Sequence, residues 1–201
     1  INLLHQFSFR RIKARYLHIV PSLYYKNLLV SKLNISEKNI FISPSGGVDF
    51  SLFKDNVKIC RNNHKIVLGF ASGAKKQKGF DFILQLMKDL NDIERQTKKV
   101  ILFEIIEYGD ETGKLKEMES LESVNLLKPL EKNKMPEFYN HCDILLFPTH
   151  HESLGLVGLE AMACNIPVVG TNCTALPEYI FSRKTGELFD KDDYYSFKKA
   201  V

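Results

Sequence analysis

The stretch Asp143-Ile-Leu-Leu-Phe-Pro-Thr-His-His-Glu152-Ser-Leu-Gly155-Leu-Val-Gly-Leu-Glu160-Ala-Met-Ala-Cys164 changes its period halfway. Through Phe147 the side chains are apolar at successive positions, as in a strand covered on both faces. From residue 154 to 164 apolar side chains recur near helical spacing. The turn between them is polar and carries a glycine just before the helix. A buried strand feeding a helix through such a turn is the repeating unit of open α/β sheets.

The same alternation extends outward from this unit. Strands are predicted over 17–20, 39–43, 65–70, 99–106, 124–127, 143–147 and 166–170. Helices are predicted over 24–33, 79–95, 113–119, 132–140 and 154–164, with a last one from Tyr194 onward. In the second of these, Phe80, Ile83, Leu84, Met87 and Leu90 form one stripe expected to be buried. Strand and helix in strict alternation imply right-handed crossovers. The fold class is therefore α/β, a Rossmann-like open parallel sheet flanked by helices.

A boundary is read near Pro44-Ser-Gly-Gly-Val-Asp49, which precedes a polar stretch over 54–64. Residues 1–44 hold about one strand and one helix, too little for a core of their own. They are expected to be the trailing end of a preceding domain plus a linker. Residues 45–201 are expected to form the Rossmann-like domain. A start at Ile1 and a helix cut at Val201 lead to the expectation of a piece of a longer protein, truncated at its C-terminal end.

The 201 residues are 44% hydrophobic and 26% charged, an ordinary globular balance. The formal charge of +4, from 28 basic and 24 acidic side chains, is a mild excess. No nucleic-acid partner is expected, and Arg10-Arg-Ile-Lys-Ala-Arg15 reads as a solvated helix face. Cys60, Cys142, Cys164 and Cys173 show neither a CxxC pair nor metal-ligand spacing, so a reduced, cytoplasmic chain is expected. No apolar run approaches the roughly 20 residues that cross a bilayer.

In open α/β sheets, ligands bind beyond the carboxyl ends of the strands. The loop after 143–147 is the richest there. Free N–H groups in a first helical turn, with the positive end of the helix dipole, suit an anion, above all phosphate. Gly155 lets a ligand approach the backbone closely, or else only serves a tight turn; the residues alone leave both open. Glu152 and Glu160 stand eight residues apart. Helical throughout, that span would rise ~12 Å, so the pair suits two parts of one extended ligand rather than a single atom. A carboxylate accepts hydrogen bonds from vicinal hydroxyls such as those of a sugar. The alternative, a dipole-complementing Glu152 and a solvated Glu160, is weakened by the apolar neighbours Leu159, Ala161, Met162 and Ala163.

A second loop, Ala71-Ser-Gly73-Ala-Lys75-Lys-Gln-Lys78-Gly79, brings lysines that can neutralise a diphosphate as point charges, or merely face solvent. It does not read as GxxxxGK[ST]. The third, Glu107-Tyr-Gly-Asp-Glu-Thr-Gly113, is too acidic for direct phosphate contact. His150 and His151 point apart as neighbours and have no third ligand at helical spacing, so no metal site is expected.

Together these residues resemble the C-terminal, nucleotide-sugar-binding domain of retaining glycosyltransferase family 4, whose members have two Rossmann-like domains (the GT-B fold). The resemblance runs from about Ile40 to the end. It rests on the Glu-x7-Glu signature Glu152–Glu160, continuing into Ala161-Met-Ala-Cys-Asn-Ile-Pro-Val-Val169 and Pro177-Glu178. Ile42 to Asp49 looks like the family's inter-domain turn, and Lys78-Gly79 like its phosphate-binding lysine motif. The resemblance implies that Glu160 holds the ribose hydroxyls and Glu152 hydroxyls of the donor sugar. It places Ser153, Leu154, Gly155 and Leu156 beside the sugar and diphosphate, with Lys78, Lys75 and the stretch at Gly73 on the diphosphate side. Leu127, Lys128 and Pro129 would lie beside the base.

The implied reaction is transfer of a sugar from a nucleotide-diphosphate sugar to a glycan or lipid-linked acceptor, with retention and without a metal or other cofactor. The acceptor would be bound mainly by an N-terminal domain outside this chain, so the chain alone is expected to transfer little. A full-length enzyme would be cytoplasmic, at most peripheral on the cytoplasmic membrane face. Two positions depart from the family: Gly73 stands where an arginine is usual, and Asn165 where glycine follows the helix. Asparagine tolerates the left-handed cap conformation. A dinucleotide-dependent oxidoreductase would need a GxGxxG turn, which this sequence lacks. A non-catalytic nucleotide-sugar-binding module and a sugar-nucleotide epimerase of related fold remain the alternatives.

Overall fold

The computed structural model of the chain describes residues 16–44, 47–55, 63–111 and 113–201. Arg10 to Arg15, Cys60 and much of the polar stretch over 54–64 lie outside the described residues, as do Ser45 and Gly46 of the expected boundary.

Strand β1 (His18–Val20), helix α1 (Leu23–Leu33) and strand β2 (Ile40–Ile42) form a small parallel β-α-β unit, with His18 beside Ile40 and Val20 beside Ile42. Its core is Val20, Ile35 and Ile40, covered by Leu29 and Leu33. α1 begins at Leu23 because Ser22 is extended and its Oγ accepts the Tyr25 N–H at 3.4 Å. It ends on Asn34 in the left-handed conformation, whose N–H closes on the last turn.

The rest of the chain builds one parallel sheet of six strands: β3 (Lys65–Phe70), β4 (Val100–Ile106), β5 (Val124–Leu127), β6 (Ile144–Phe147), β7 (Val168–Thr171) and β8 (Gly186–Phe189). Their spatial order is β5-β4-β3-β6-β7-β8. Counted from β3, that is the dinucleotide-fold order 3-2-1-4-5-6. The parallel sheet and flanking helices match the expected fold class.

Successive strand residues serve opposite faces. Leu68, Phe70, Leu146 and Val169 join a core under α2 (Phe80–Lys88), α3 (Leu90–Thr97), α4 (Leu115–Met118) and α7 (Tyr194–Ala200). Leu145, Phe147 and Val168 join the other, under α5 (Met135–His141) and α6 (Leu156–Ala163). Burial on both faces is why the strands read as unbroken apolar runs.

Three expectations need correction. The helix over 79–95 is two helices, because Asp89 leaves helical geometry (ψ 3°) and turns its carboxylate to Tyr194 and Lys198. Its fully buried stripe is Phe80, Ile83 and Leu86, with Leu84 and Met87 at the margin. The edge strand β8 had no counterpart: four residues starting Gly-Glu carry too little apolar pattern to read.

Candidate functional site

Strand order reverses between β3 and β6, so a crevice opens beyond their carboxyl ends. The loops flanking it are the lysine-rich one over 71–79 and the carboxylate-bearing one over 148–155. Three contacts lace them together. Lys78 Nζ forms an ion pair with Glu152 Oε1. The His150 N–H donates to the Gln77 carbonyl at 3.0 Å. Gly79 turns at φ 73°, and a Cβ there would fall on the Pro148 carbonyl oxygen. Only glycine lets the two main chains come so close.

Glu152 is held from a second direction. Its N–H donates to Thr174 Oγ1 at 3.3 Å, and Thr149 Oγ1 lies 3.5 Å from Glu152 Oε1. The carboxylate side chain is 16% exposed and its lysine partner 32%. The pair is thus half out of water yet reachable from the crevice. A phosphate arriving there would take Lys78 in exchange for Glu152, and so free the carboxylate for hydroxyls. Behind it, α6 starts at Leu156 after the N-cap Gly155, with no side-chain cap, and its first turn has N–H groups without intrahelical acceptors.

At Gly155 the residues alone leave two roles open. The glycine is buried, its φ is 84°, and a Cβ would fall against the Tyr179 hydroxyl and the Phe147 ring. On its Cβ side the glycine makes room for Tyr179, whose hydroxyl donates to the Gly155 carbonyl at 3.1 Å. Gly73 is likewise packed: at φ 67° its missing Cβ faces the Tyr108 carbonyl. An arginine side chain has no space at that position, so the departure at Gly73 is built into the meeting of the β3 and β4 loops. Lys75 is half-buried beside Gly109.

Glu160 lies on α6, and Tyr139 of α5 donates its hydroxyl to Glu160 Oε2 at 2.8 Å. Burial pushes the carboxyl above its usual range, while the Tyr139 hydrogen bond and the Lys132 charge pull it back. The helical rise assumed between Glu152 and Glu160 was too long, since helix begins only at Leu156. Ser153 is exposed in the turn, Leu154 is buried and Leu156 half-buried. Leu127 ends β5, and the exposed Lys128 and Pro129 continue from it toward Lys132.

The adjacent histidines diverge, as their sequence positions imply. His150 Nδ1 meets Asp192 Oδ1 at 3.0 Å, and His151 Nε2 meets the Tyr25 hydroxyl at 2.9 Å. Among the described residues no three His, Cys, Asp or Glu side chains are grouped to hold a metal. Cys142 and Cys164 are buried free thiols and Cys173 a half-buried one. No described helix is long and apolar enough to cross a membrane. At the α6 C-terminus, Asn165 adopts φ 62°, and its N–H and that of Ile166 close on Met162 and Ala161.

Sequence reasoning missed Tyr139, Thr149, Thr174 and Tyr179. A tyrosine on the apolar face of α5 was the available signal for the first, because a buried phenol needs a hydrogen-bond partner. Glu178 was noticed only as part of a motif. Its carboxylate accepts the N–H groups of Leu23 at 2.9 Å and Tyr24 at 2.7 Å, tying the start of α1 to the loops of the large sheet.

The surroundings of this site have counterparts in known proteins. The chain is 28% identical over 180 residues to the uncharacterized 41.2 kDa protein in the cps region of Klebsiella pneumoniae, covering 87% of this chain and 48% of that protein. It is 25% identical over 163 residues to the capsular polysaccharide biosynthesis glycosyltransferase CapM of Staphylococcus aureus, covering 78% and 43%. It thus spans less than half the length of these relatives. In fold it is similar to sucrose-phosphate synthase of Thermosynechococcus elongatus, with a TM-score of 0.79 at 17% identity over 99% of this chain and 51% of that one. It is also similar to HepE of Anabaena, solved in complex with UDP and glucose, at 0.72 and 16% over 96% and 56%. The family model described as glycosyl transferases group 1 matches residues 53–201, which hold the whole six-stranded sheet and both loops of the crevice, and the chain belongs to that family.

Proposed function

We propose that this chain is the donor-binding part of a retaining glycosyltransferase that takes a nucleotide-diphosphate sugar and passes the sugar to a glycan or lipid-linked acceptor. The observation that carries the reading is the Lys78–Glu152 pair, bridging the crevice between β3 and β6 just ahead of the N-terminus of α6. Family membership, and the UDP and glucose found with HepE, support it.

In this reading the diphosphate lies between Lys78 and the first turn of α6. Glu152 is released to the donor-sugar hydroxyls, and Glu160 takes the ribose. Leu127 to Pro129 flank the base. When the bond from the anomeric carbon to the diphosphate oxygen breaks, its electron pair stays on that oxygen. Lys78 and the helix N-terminus meet the developing charge, the kind of preorganised stabilisation that dominates many enzymes, and the reading calls on no metal. The acceptor hydroxyl bonds to the same face of the anomeric carbon, and its proton passes to the departing diphosphate oxygen. Acceptor contacts, like the peripheral membrane placement of a full-length enzyme, belong to parts beyond this chain.

Thermal-shift and calorimetric screening with UDP, GDP, ADP and dTDP sugars tests the assignment. At least one should stabilise the chain, and Lys78→Ala and Glu160→Ala should lose most of that stabilisation. Equal binding by both variants would refute the site. A donor that is bound by the full-length enzyme yet never consumed with any acceptor would favour a binding module instead.

A further inference from the structure

Tyr139 belongs to no motif, yet it makes the direct contact to Glu160. Its side chain is 0% exposed, between Phe53 and Phe138 at ring-centroid distances of 6.1 and 5.4 Å. Packing on that scale leaves the ring one orientation, and with it fixes the position of the hydroxyl. Burial above all, then the Glu160 charge, pushes the phenol far above its ordinary range, so it donates at any pH at which the chain is folded.

We propose that Tyr139 is a positioning residue: its hydroxyl occupies Glu160 Oε2 and turns the carboxylate so that Oε1 faces two vicinal hydroxyls of the ligand. The inference rests on reading Glu160 as the ribose-holding acid. A free glutamate rotates its terminal torsion broadly. A fixed donor on one oxygen removes that freedom before the ligand arrives, which strengthens binding without touching the ligand. The 2.8 Å bond is of ordinary O–H···O length and reaches a half-buried group.

The bond also bears on protonation. The groups facing Glu160 are Tyr139 from α5, Lys132 from the turn before it and Cys164 on its own helix. The Cys164 thiol, with Asp55 beyond it, is pushed to about 11 by burial and stays neutral. Burial raises the Glu160 carboxyl, and of these groups Tyr139 and Lys132 pull it back toward the ionised form. Without the phenol, Glu160 keeps its proton to higher pH and there accepts more weakly, through one oxygen rather than a shared charge.

Tyr139→Phe removes the hydroxyl and leaves the packed ring. Calorimetry would compare UDP, GDP and ADP, each beside its 2′-deoxy form, across the acidic to neutral range. Wild type should prefer the ribonucleotide. Tyr139→Phe should weaken it on the order of tenfold, narrow the preference, and move the acid limb of binding to higher pH. Glu160→Gln should abolish the preference. If Tyr139→Phe lowers the melting temperature but keeps both the preference and the acid limb, the positioning role is overturned while the ribose reading stands. If wild type shows no ribose preference, or Glu160→Gln keeps it, the ribose reading falls and takes this inference with it.

Discussion

At the scale of single residues, glycine sets the site for two different reasons. Gly79 is required where the β3 and β6 loops touch, and Gly155 where Tyr179 crosses the start of α6. The second case makes a sharp prediction. Gly155→Ala should destabilise the chain by about 1–3 kcal/mol, from the strained left-handed backbone and the contact with the Tyr179 hydroxyl. Adding Tyr179→Phe removes the nearest obstacle, so the double variant should recover part of that loss in urea unfolding. No recovery would mean that the backbone alone decides position 155. Sequence reading could place both glycines in turns, because turn composition is local. It could not separate room for a ligand from room for Tyr179, since the phenol arrives from 24 residues further along.

Among elements, α1 shows how a short segment is secured to a large one. Two caps share its first turn: the Ser22 hydroxyl takes the Tyr25 N–H, and the Glu178 carboxylate takes those of Leu23 and Tyr24. Ser22→Ala should cost about 0.5–2 kcal/mol of local stability, as cap removals do. Glu178→Ala should speed hydrogen exchange at the Leu23 and Tyr24 amides and leave exchange in β3 and β6 unchanged. Faster exchange in β3 and β6 as well would show that the contact supports the main sheet rather than the attachment of α1. The helix itself was legible from its apolar spacing, and Ser22 explains the one-residue earlier start. The strands buried on both faces were legible, and so were β1, β2 and β5, whose short β-branched or apolar runs survive partial exposure. β8 escaped because its four residues open on Gly-Glu and carry too little apolar pattern, whereas β5, at the other edge, reads Val-Asn-Leu-Leu.

For the whole molecule, acidity should act in two opposed windows. Asp89 anchors α7 through Lys198 and Tyr194, and those two hydrogen bonds lower its carboxyl below the usual 3.8. Its contribution is fully present above that value and is lost as pH falls through the lowered one. Glu104, in the middle of β4, is raised by burial, only partly offset by His141 and Asn125, and its Oε2 is buried without a partner. Glu160 is raised as well. The folded chain therefore holds these protons more tightly than the unfolded one, and stability declines as pH climbs above the ordinary 4.5. Urea midpoints followed against pH should show Asp89→Asn flattening the acid limb alone. Glu104→Gln should flatten part of the limb above 4.5 and gain about 1 kcal/mol at neutral pH. A Glu104→Gln chain less stable than wild type at neutral pH would refute the assignment of that cost.

The capping of α1 by Glu178 also dictates an order of events. The amides of Leu23 and Tyr24 leave the ribosome 155 and 154 residues ahead of the carboxylate that satisfies them. At ordinary synthesis rates that interval is roughly 8–30 s. Throughout it the opening turn must rely on water and the Ser22 hydroxyl, so α1 precedes the other described helices in synthesis yet is among the last of them to be finished.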